Sequence, residues 1–300
     1  MIDPLEAFAA ESRAFYARRG PRRGPSSDAE LRSAREQMPA PVPAVPAART
    51  EVAHALGREV TVRVHEPRTG PAVGAHLEVH GGGFVLGSAA HDDVRCRALA
   101  EATGLVVVGV EHRLAPEHPW PAAPDDVETA ARWLAEVAAD RFGTDRLTVG
   151  GFSSGATLAL GTLLRLRDAG VEVFRGAALQ FGTYDLSGTT PAGRRIADEF
   201  FLRAYLDGVG DRTSPGVSPV FADLVGLPPV LVVVGAEDVL LEDNLALVDR
   251  MTAAGGPVEV RVFPASPHGF TGHATSMATV ARAGIADWLR RRVSQERSSS

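Results

Sequence analysis

Ser153 stands between two glycines, Gly151 and Gly155, in the pentapeptide GFSSG. A nucleophilic serine on a sharp turn from a strand into a helix needs glycine at both positions, because a Cβ atom there would clash with the neighbouring backbone. The adjacent Ser154 has no glycine at the same offsets. The spacing therefore predicts Ser153 as a nucleophile, with Gly151 and Gly155 supporting its turn.

Three consecutive glycines follow a histidine earlier in the chain, in the sequence HGGGF that begins at His80. Glycines leave backbone N–H groups open to a substrate oxygen, which is what stabilisation of an oxyanion requires. We expect this oxyanion hole to consist of the N–H groups of Gly82, Gly83 and Ser154, with His80 and Gly81 supporting the loop. Acyl transfer is the reaction that uses both a serine nucleophile and an oxyanion hole.

A serine nucleophile needs a base and a carboxylate that orients the base, and in parallel sheets with this turn the acid precedes the histidine. Asp238 follows the strand-like PPVLVVVG, and His268 follows the strand-like VEVRVF. Both loops are expected at the carboxyl edge of the sheet, where Ser153 also leaves its strand. We predict His268 as the base and Asp238 as its partner. The carboxylates that remain as alternatives to Asp238 are Glu237, Asp243 and Asp185.

Strand-like runs alternate with helical patterns over most of the chain, which predicts an α/β fold with a doubly wound, mostly parallel sheet. The run at 105–113 is continuously apolar, as expected for a strand that helices cover on both faces. Helical patterns occur at 125–140 and directly after Ser153. The other strand-like runs lie at 59–67, 74–80, 147–153, 173–181, 228–235 and 258–263.

The alternation of strands and helices is absent from two segments. Residues 1–45 are predicted to form an N-terminal helical cap arm, helical to about residue 38 and then extended through several prolines. Residues 46–300 are predicted to form the catalytic domain. Within it, a cap insertion is expected at about 186–220, with a helical piece near 196–206.

The composition restricts the class of protein. A net charge of -6 argues against a nucleic-acid partner. No apolar stretch approaches the roughly 20 residues of a membrane span, and the N-terminus lacks the features of a secretory signal, so we expect a cytoplasmic protein without a membrane partner. The single Cys96 cannot form an internal disulfide. His76, His80 and His91 lack the spacing of a metal site, so we predict no bound metal. A serine nucleophile needs no cofactor, so we predict none.

Five motifs together resemble the hormone-sensitive-lipase-like family of α/β-hydrolases, which includes many bacterial short-chain carboxylesterases. They are HGGGF at 80, HRLAPEHPWPAAPDD at 112, GFSSGATLA at 151, GAEDVL at 235 and PHGF at 267. The resemblance spans residues 45–290 approximately and implies an α/β-hydrolase fold with a small helical cap. It further implies hydrolysis of esters with small acyl groups, no cofactor, and frequent homodimerisation.

Three positions depart from the pattern of the family that the chain resembles. Phe152 occupies a position that is usually acidic, Ser154 replaces a common alanine, and Val239 replaces the usual proline after the acid. None of the three changes removes a catalytic atom. They bear instead on substrate preference and on the rate of hydrolysis.

The leading hypothesis is a carboxylesterase that cleaves small-molecule esters with short acyl chains through an acyl-Ser153 intermediate. A second hypothesis is an acyltransferase, cyclase or deacylase of a biosynthetic pathway with the same fold. The unusual Phe152 beside the nucleophile motivates it. A third is a non-catalytic receptor for a small molecule, although such proteins typically lose part of the serine, histidine and carboxylate set.

Overall fold

The computed structural model describes residues 4–20 and 23–295, and its centre is a sheet of eight strands. The strands are β1 (Arg49–Ala55), β2 (Arg58–His65), β3 (Gly74–Val79), β4 (Leu105–Val110), β5 (Leu147–Phe152), β6 (Phe174–Gln180), β7 (Val230–Gly235) and β8 (Val258–Phe263). The α-helices are α1 (Pro4–Arg19), α2 (Asp28–Glu36), α3 (Asp93–Thr103), α4 (Ala122–Phe142), α5 (Ser154–Asp168), α6 (Phe200–Tyr205), α7 (Leu241–Ala253) and α8 (Ser276–Ser294).

The strands lie in the order β1-β2-β4-β3-β5-β6-β7-β8. The pairs β1/β2 and β2/β4 are antiparallel, and every pair from β4/β3 to β7/β8 is parallel. The predicted α/β fold with a mostly parallel, doubly wound sheet is therefore confirmed. Its consequence for function is that the loops after β3, β5, β7 and β8 leave the sheet at one edge.

Helices exclude water from both faces of the sheet, so strands such as β4 and β7 are continuous apolar runs. Every residue of β3, β4 and β7 is buried. Burial of each large aliphatic side chain contributes about 1.5–3 kcal/mol, so these strands form a rigid support. The edge strand β1 is mostly exposed and buries only Ala53.

The N-terminal segment contains two helices rather than the single continuous helical pattern that the sequence predicted. Gly20 has a left-handed φ of 66° at the end of α1, and α2 begins anew at a cap in which Ser27 Oγ accepts a hydrogen bond from the Glu30 N–H at 3.2 Å. Glycines and prolines between the two helices explain the break. The helical prediction for residues 1–3 and 21–22 lies outside the described residues.

The helix expected near 196–206 is shorter in the structure. It is limited to α6, which is preceded by a single 3-10 turn at Gly193–Arg195. The rest of the segment at 186–220 consists of turns and irregular backbone, except that a second 3-10 turn, Pro219–Phe221, begins at its end. In the ranges described, no helix combines the length and apolarity needed to cross a bilayer.

Candidate active site

Ser153 lies at the turn between β5 and α5, at the carboxyl edge of the sheet. Its backbone has φ 53° and ψ −128°, a conformation with positive φ that is uncommon for a residue with a side chain. The Ser153 N–H donates to the carbonyl oxygen of Gln180 at 2.9 Å, which ties the turn to the end of β6. The strained turn projects the Ser153 side chain beyond the strand.

The two glycines around Ser153 are required by close backbone contacts. A Cβ atom at Gly155 would lie 2.1 Å from the carbonyl oxygen of Val79, and one at Gly151 would lie 2.6 Å from the same oxygen. Contacts this short with backbone atoms cannot be relieved by rotating a side chain. The sequence prediction for these glycines thus has a structural basis in the packing of the turn against β3.

The structure brings Ser153, His268 and Asp238 together, although they are separated by up to 115 positions in the chain. Ser153 Oγ lies 2.9 Å from His268 Nε2. His268 Nδ1 lies 3.0 Å from Asp238 Oδ1 and 3.1 Å from Oδ2. Asp238 follows β7 and His268 follows β8, so the parallel sheet delivers all three groups to one edge.

Asp238 is held in a buried position, while His268 remains partly exposed. The Asp238 side chain is fully buried, and its Oδ1 also accepts the N–H of Leu240 at 2.9 Å. The ring of Phe181 meets the imidazole of His268 edge to face, with ring centres 5.1 Å apart. These contacts fix the carboxylate and the imidazole plane. No pattern in the sequence marks Phe181 for this role.

The other carboxylates considered for Asp238's role bind different partners. Asp243 accepts the backbone N–H of Tyr184 at 2.6 Å, and burial raises its pKa to about 6. Asp185 accepts hydrogen bonds from Ser187 and Thr190, which lower its pKa against the effect of burial. The third alternative, Glu237, is exposed to solvent. Of the four carboxylates, only Asp238 bonds to the imidazole of His268.

The predicted oxyanion loop leads away from β3 with backbone amides unused. The N–H groups of Gly82, Gly83 and Ser154 donate no hydrogen bond to any described residue. Gly82 has a φ of 129°, and a Cβ atom there would lie 2.0 Å from the carbonyl oxygen of Leu86. Since each amide is unpaired, all three remain available to an anionic oxygen.

His80 supports the loop from behind and does not join Ser153. Its ring stacks on that of His112, with ring centres 4.0 Å apart. Burial lowers the pKa of both imidazoles, that of His80 well below its usual value. The loop is held further by the Ala115 N–H, which donates to the carbonyl oxygen of Phe84 at 2.9 Å. The HRLAPEHP motif thus forms the wall behind the glycine loop.

The ring of Phe152, the residue before the predicted nucleophile, packs against an arginine side chain. The guanidinium of Arg95 lies over its ring at 4.1 Å from the centre, and Arg95 also bonds to the buried Glu78 at 2.9 Å. The aromatic ring therefore occupies a cationic environment. Sequence reasoning noted Phe152 as a departure but had no means to find Arg95, which comes from α3.

A family model described as alpha/beta hydrolase fold matches residues 76–272 of the chain. The chain belongs to this family. The match includes the glycine loop, the Ser153 turn, Asp238 and His268, so the whole described site lies within the family's shared region. The α/β-hydrolase fold predicted from the motifs is confirmed.

Relatives within the family are esterases by name. The chain is 34% identical to the carboxylesterase NlhH of Mycobacterium tuberculosis over 75% of each chain. It is 38% identical to an acetyl-hydrolase of Streptomyces hygroscopicus, over 64% of this chain and 66% of the relative. A solved hormone-sensitive lipase from a metagenome library has 28% identity and a TM-score of 0.74, over 97% of this chain and 99% of the other. The resemblance to hormone-sensitive-lipase-like hydrolases is thereby confirmed.

Proposed function

We propose that the protein is a carboxylesterase that hydrolyses small-molecule esters with short acyl chains through an acyl-Ser153 intermediate. The observation that carries this proposal is the continuous set of contacts from Ser153 Oγ through His268 to Asp238, with distances of 2.9 and 3.0 Å. A serine, an imidazole and a buried carboxylate in this sequence of contacts can perform nucleophilic acyl transfer. Relatives named carboxylesterase and acetyl-hydrolase support the substrate class.

In the acylation step, Ser153 Oγ attacks the ester carbonyl carbon while His268 Nε2 accepts the hydroxyl proton. The carbonyl C–O π bond opens to an oxyanion, and the His268 proton then passes to the leaving alcohol as the C–O ester bond breaks. Water attacks the acyl-serine by the same route and releases the acid. Asp238 accepts the Nδ1–H throughout, which fixes the tautomer and stabilises the imidazolium.

The oxyanion of each tetrahedral intermediate is assigned to the N–H groups of Gly82, Gly83 and Ser154. Donors fixed in advance are effective because they need no reorganisation when charge develops, and one such donor contributes about 3 kcal/mol. The absence of other hydrogen-bond partners for these amides among the described residues supports the assignment.

The proposal includes a cap over the active site. The cap consists of residues 1–45 and the insertion at about 186–220, and residues 46–300 form the catalytic domain. The ring of Phe201 lies against Gly83, where a Cβ atom would be 3.2 Å from the ring. From the N-terminal arm, Arg35 donates to the carbonyl oxygens of Val85 and Ala115 at 2.9 and 2.8 Å. Both cap segments thus contact the glycine loop, and this supports a small acyl site beneath them.

The proposal includes a cytoplasmic location and a homodimer as its oligomeric state, both carried over from the sequence and the family resemblance. Light scattering after size-exclusion chromatography tests the second point. A mass near that of one 31.6 kDa chain at micromolar concentration would remove the dimer from the proposal without affecting the chemistry.

Hydrolysis of p-nitrophenyl acetate and butyrate by Ser153→Ala and Ser154→Ala variants tests the function. The two serines are adjacent, and alanine at position 154 keeps the N–H assigned to the oxyanion hole. We expect Ser153→Ala to lose at least about 10³-fold in kcat and Ser154→Ala to stay within about tenfold of the wild type. Equal rates for wild type and Ser153→Ala would end the proposal.

A further inference from the structure

A cavity is lined by the ring of Phe152, which precedes Ser153, and by Phe181 and Gly269 beside His268. It has a volume of about 680 Å³ and is bounded by the sheet and by helices α3 and α8. This size falls within the range of small-molecule sites. Small side chains line the two helical walls: Ala98 and Ala102 on α3, and Ala283 and Ala286 on α8. The four alanines leave space between the two helices, and the larger side chains of Leu99 and Ile285 also line the cavity.

One polar group in the lining of this cavity lacks a partner. The Oδ2 atom of Asp92, at the start of α3, is buried and accepts no hydrogen bond from any described residue. Burial raises the pKa of Asp92 to about 6, because the effect of burial is larger than the lowering of the pKa by the positive charge of Arg95. At neutral pH the cavity therefore contains a desolvated carboxylate, which a positively charged donor would stabilise.

The other charged groups in the lining are already engaged. Arg95 bonds to Glu78 at 2.9 Å and lies over the ring of Phe152. Arg282 donates to the carbonyl oxygen of Thr271 at 2.6 Å, and further to His273 and Thr279. Arg95 is paired with a carboxylate, and Arg282 donates to neutral oxygen atoms, so both arginines have hydrogen-bond acceptors. The carboxylate of Asp92 is the negatively charged lining group that has a buried oxygen without a donor among the described residues.

We propose that this cavity is a second binding site, separate from Ser153, for a small amphiphilic amine whose ammonium group bonds to Asp92 and whose apolar part packs between α3 and α8. The apolar part also reaches the ring of Phe152, which lines the cavity. Because Phe152 directly precedes the nucleophile, an occupant contacts the residue that supports the catalytic turn. The site does not depend on hydrolysis by Ser153.

Calorimetric titration with 1-naphthylmethylamine and with its neutral analogue 1-naphthylmethanol tests the proposal. The two probes share shape and apolar area and differ in charge at neutral pH. We expect the amine to bind at one equivalent and about tenfold or more tightly than the alcohol, since hydrogen bonds between charged groups are the stronger ones. Equal binding of the two probes, or binding of neither, would overturn the proposal.

Two variants locate the amine. Asp92→Asn keeps the size of the side chain and is expected to reduce amine affinity to that of the alcohol, whereas Asp287→Asn, an exposed control on α8, leaves it unchanged. Ala98→Phe is expected to weaken both probes by filling the cavity. An unchanged amine affinity in Asp92→Asn would place the site elsewhere and contradict the proposal.

Enzyme treated with a fluorophosphonate separates this site from the catalytic one. With Ser153 blocked, we expect the amine to bind with unchanged affinity, and loss of amine binding would assign the probe to the catalytic cleft and refute a second site. If the phosphonate does not react with Ser153, the proposed function fails, while the comparison of wild type with Asp92→Asn still decides the amine site.

Discussion

Gly155 of α5 lies directly against the backbone of Val79, the last residue of β3 before the glycine loop. A Cβ atom at this glycine would be 2.1 Å from the carbonyl oxygen of Val79 and 2.5 Å from that of His80. The helix that carries the Ser154 N–H and the strand that leads to Gly82 are therefore in backbone contact. This contact sets the distance between the two parts of the proposed oxyanion hole.

Substitution of Gly155 by alanine is predicted to separate these two parts. The added methyl group overlaps backbone atoms, so we expect the free energy of unfolding to fall by about 3 kcal/mol or more and kcat to fall with it. Gly161→Ala on the same helix is the matched control, because nothing lies within 4 Å of a Cβ atom there. It should raise the free energy of unfolding by about 0.5–1 kcal/mol. Urea denaturation measures both values, and similar changes in the two variants would disprove the contact.

The role of Asp238 is predicted to be separable from that of Asp243, the buried carboxylate among its alternatives that follows the same strand. Asp238→Asn should lower kcat by about 10⁴-fold, as in a serine protease in which an amide favours the wrong imidazole tautomer. Asp243→Asn should leave kcat within about tenfold, because Asp243 contacts Tyr184 rather than His268. Steady-state kinetics on p-nitrophenyl butyrate compares them, and a larger loss in Asp243→Asn would reverse the assignment.

Asp243 is predicted to make stability depend on pH. Burial raises its pKa to about 6 in the folded protein, above the unfolded value of about 3.9. The folded state therefore binds the Asp243 proton more tightly than the unfolded state does. The protonated carboxyl contributes its full stabilisation below about pH 3.9, and this stabilisation is lost as the pH rises through about 6. Relative to the wild type, Asp243→Asn should gain about 2 kcal/mol between pH 4 and pH 7. Thermal unfolding at several pH values measures the difference, and a constant gap would contradict this account.

Residues with local requirements could be identified from the sequence. The glycines on either side of Ser153 were recognised from the pentapeptide that a strand-to-helix turn of this kind requires. The order of Asp238 and His268 follows from a parallel sheet that places successive loops at one edge. The strands β4 and β7 were evident because both of their faces are buried. In each case a short stretch of sequence carries a recognisable pattern, even where the contact that requires it is made with another strand.

Features that depend on contacts between distant segments could not be derived in this way. The ring of Phe152 lies under Arg95, and His80 stacks on His112, but neither partner is marked by spacing or composition. The edge strand β1 was missed as a separate strand because it buries little and lacks a clear apolar alternation. The insertion was expected to be more helical than it is, since irregular backbone packed on a loop resembles a short amphipathic helix in sequence.

Phe201 is predicted to limit the length of the acyl chain. Its ring lies against Gly83, one of the proposed oxyanion residues, so its removal should open space above the substrate carbonyl. We expect Phe201→Ala to raise kcat/KM for p-nitrophenyl octanoate relative to the acetate by about tenfold or more, in line with the burial of several further CH₂ groups. Phe200→Ala, at the neighbouring position of α6, serves as the control. An unchanged ratio of the two substrates in Phe201→Ala would exclude this role.

The acyl-enzyme itself tests the central claim most directly. Rapid quenching of the wild type with p-nitrophenyl butyrate, followed by peptide mass spectrometry, should find one butyryl group, attached to Ser153. The group should be absent from Ser153→Ala and should form at least about 10³-fold more slowly in His268→Ala, which lacks the base. A butyryl group on another residue, or turnover by Ser153→Ala at the wild-type rate, would contradict the account.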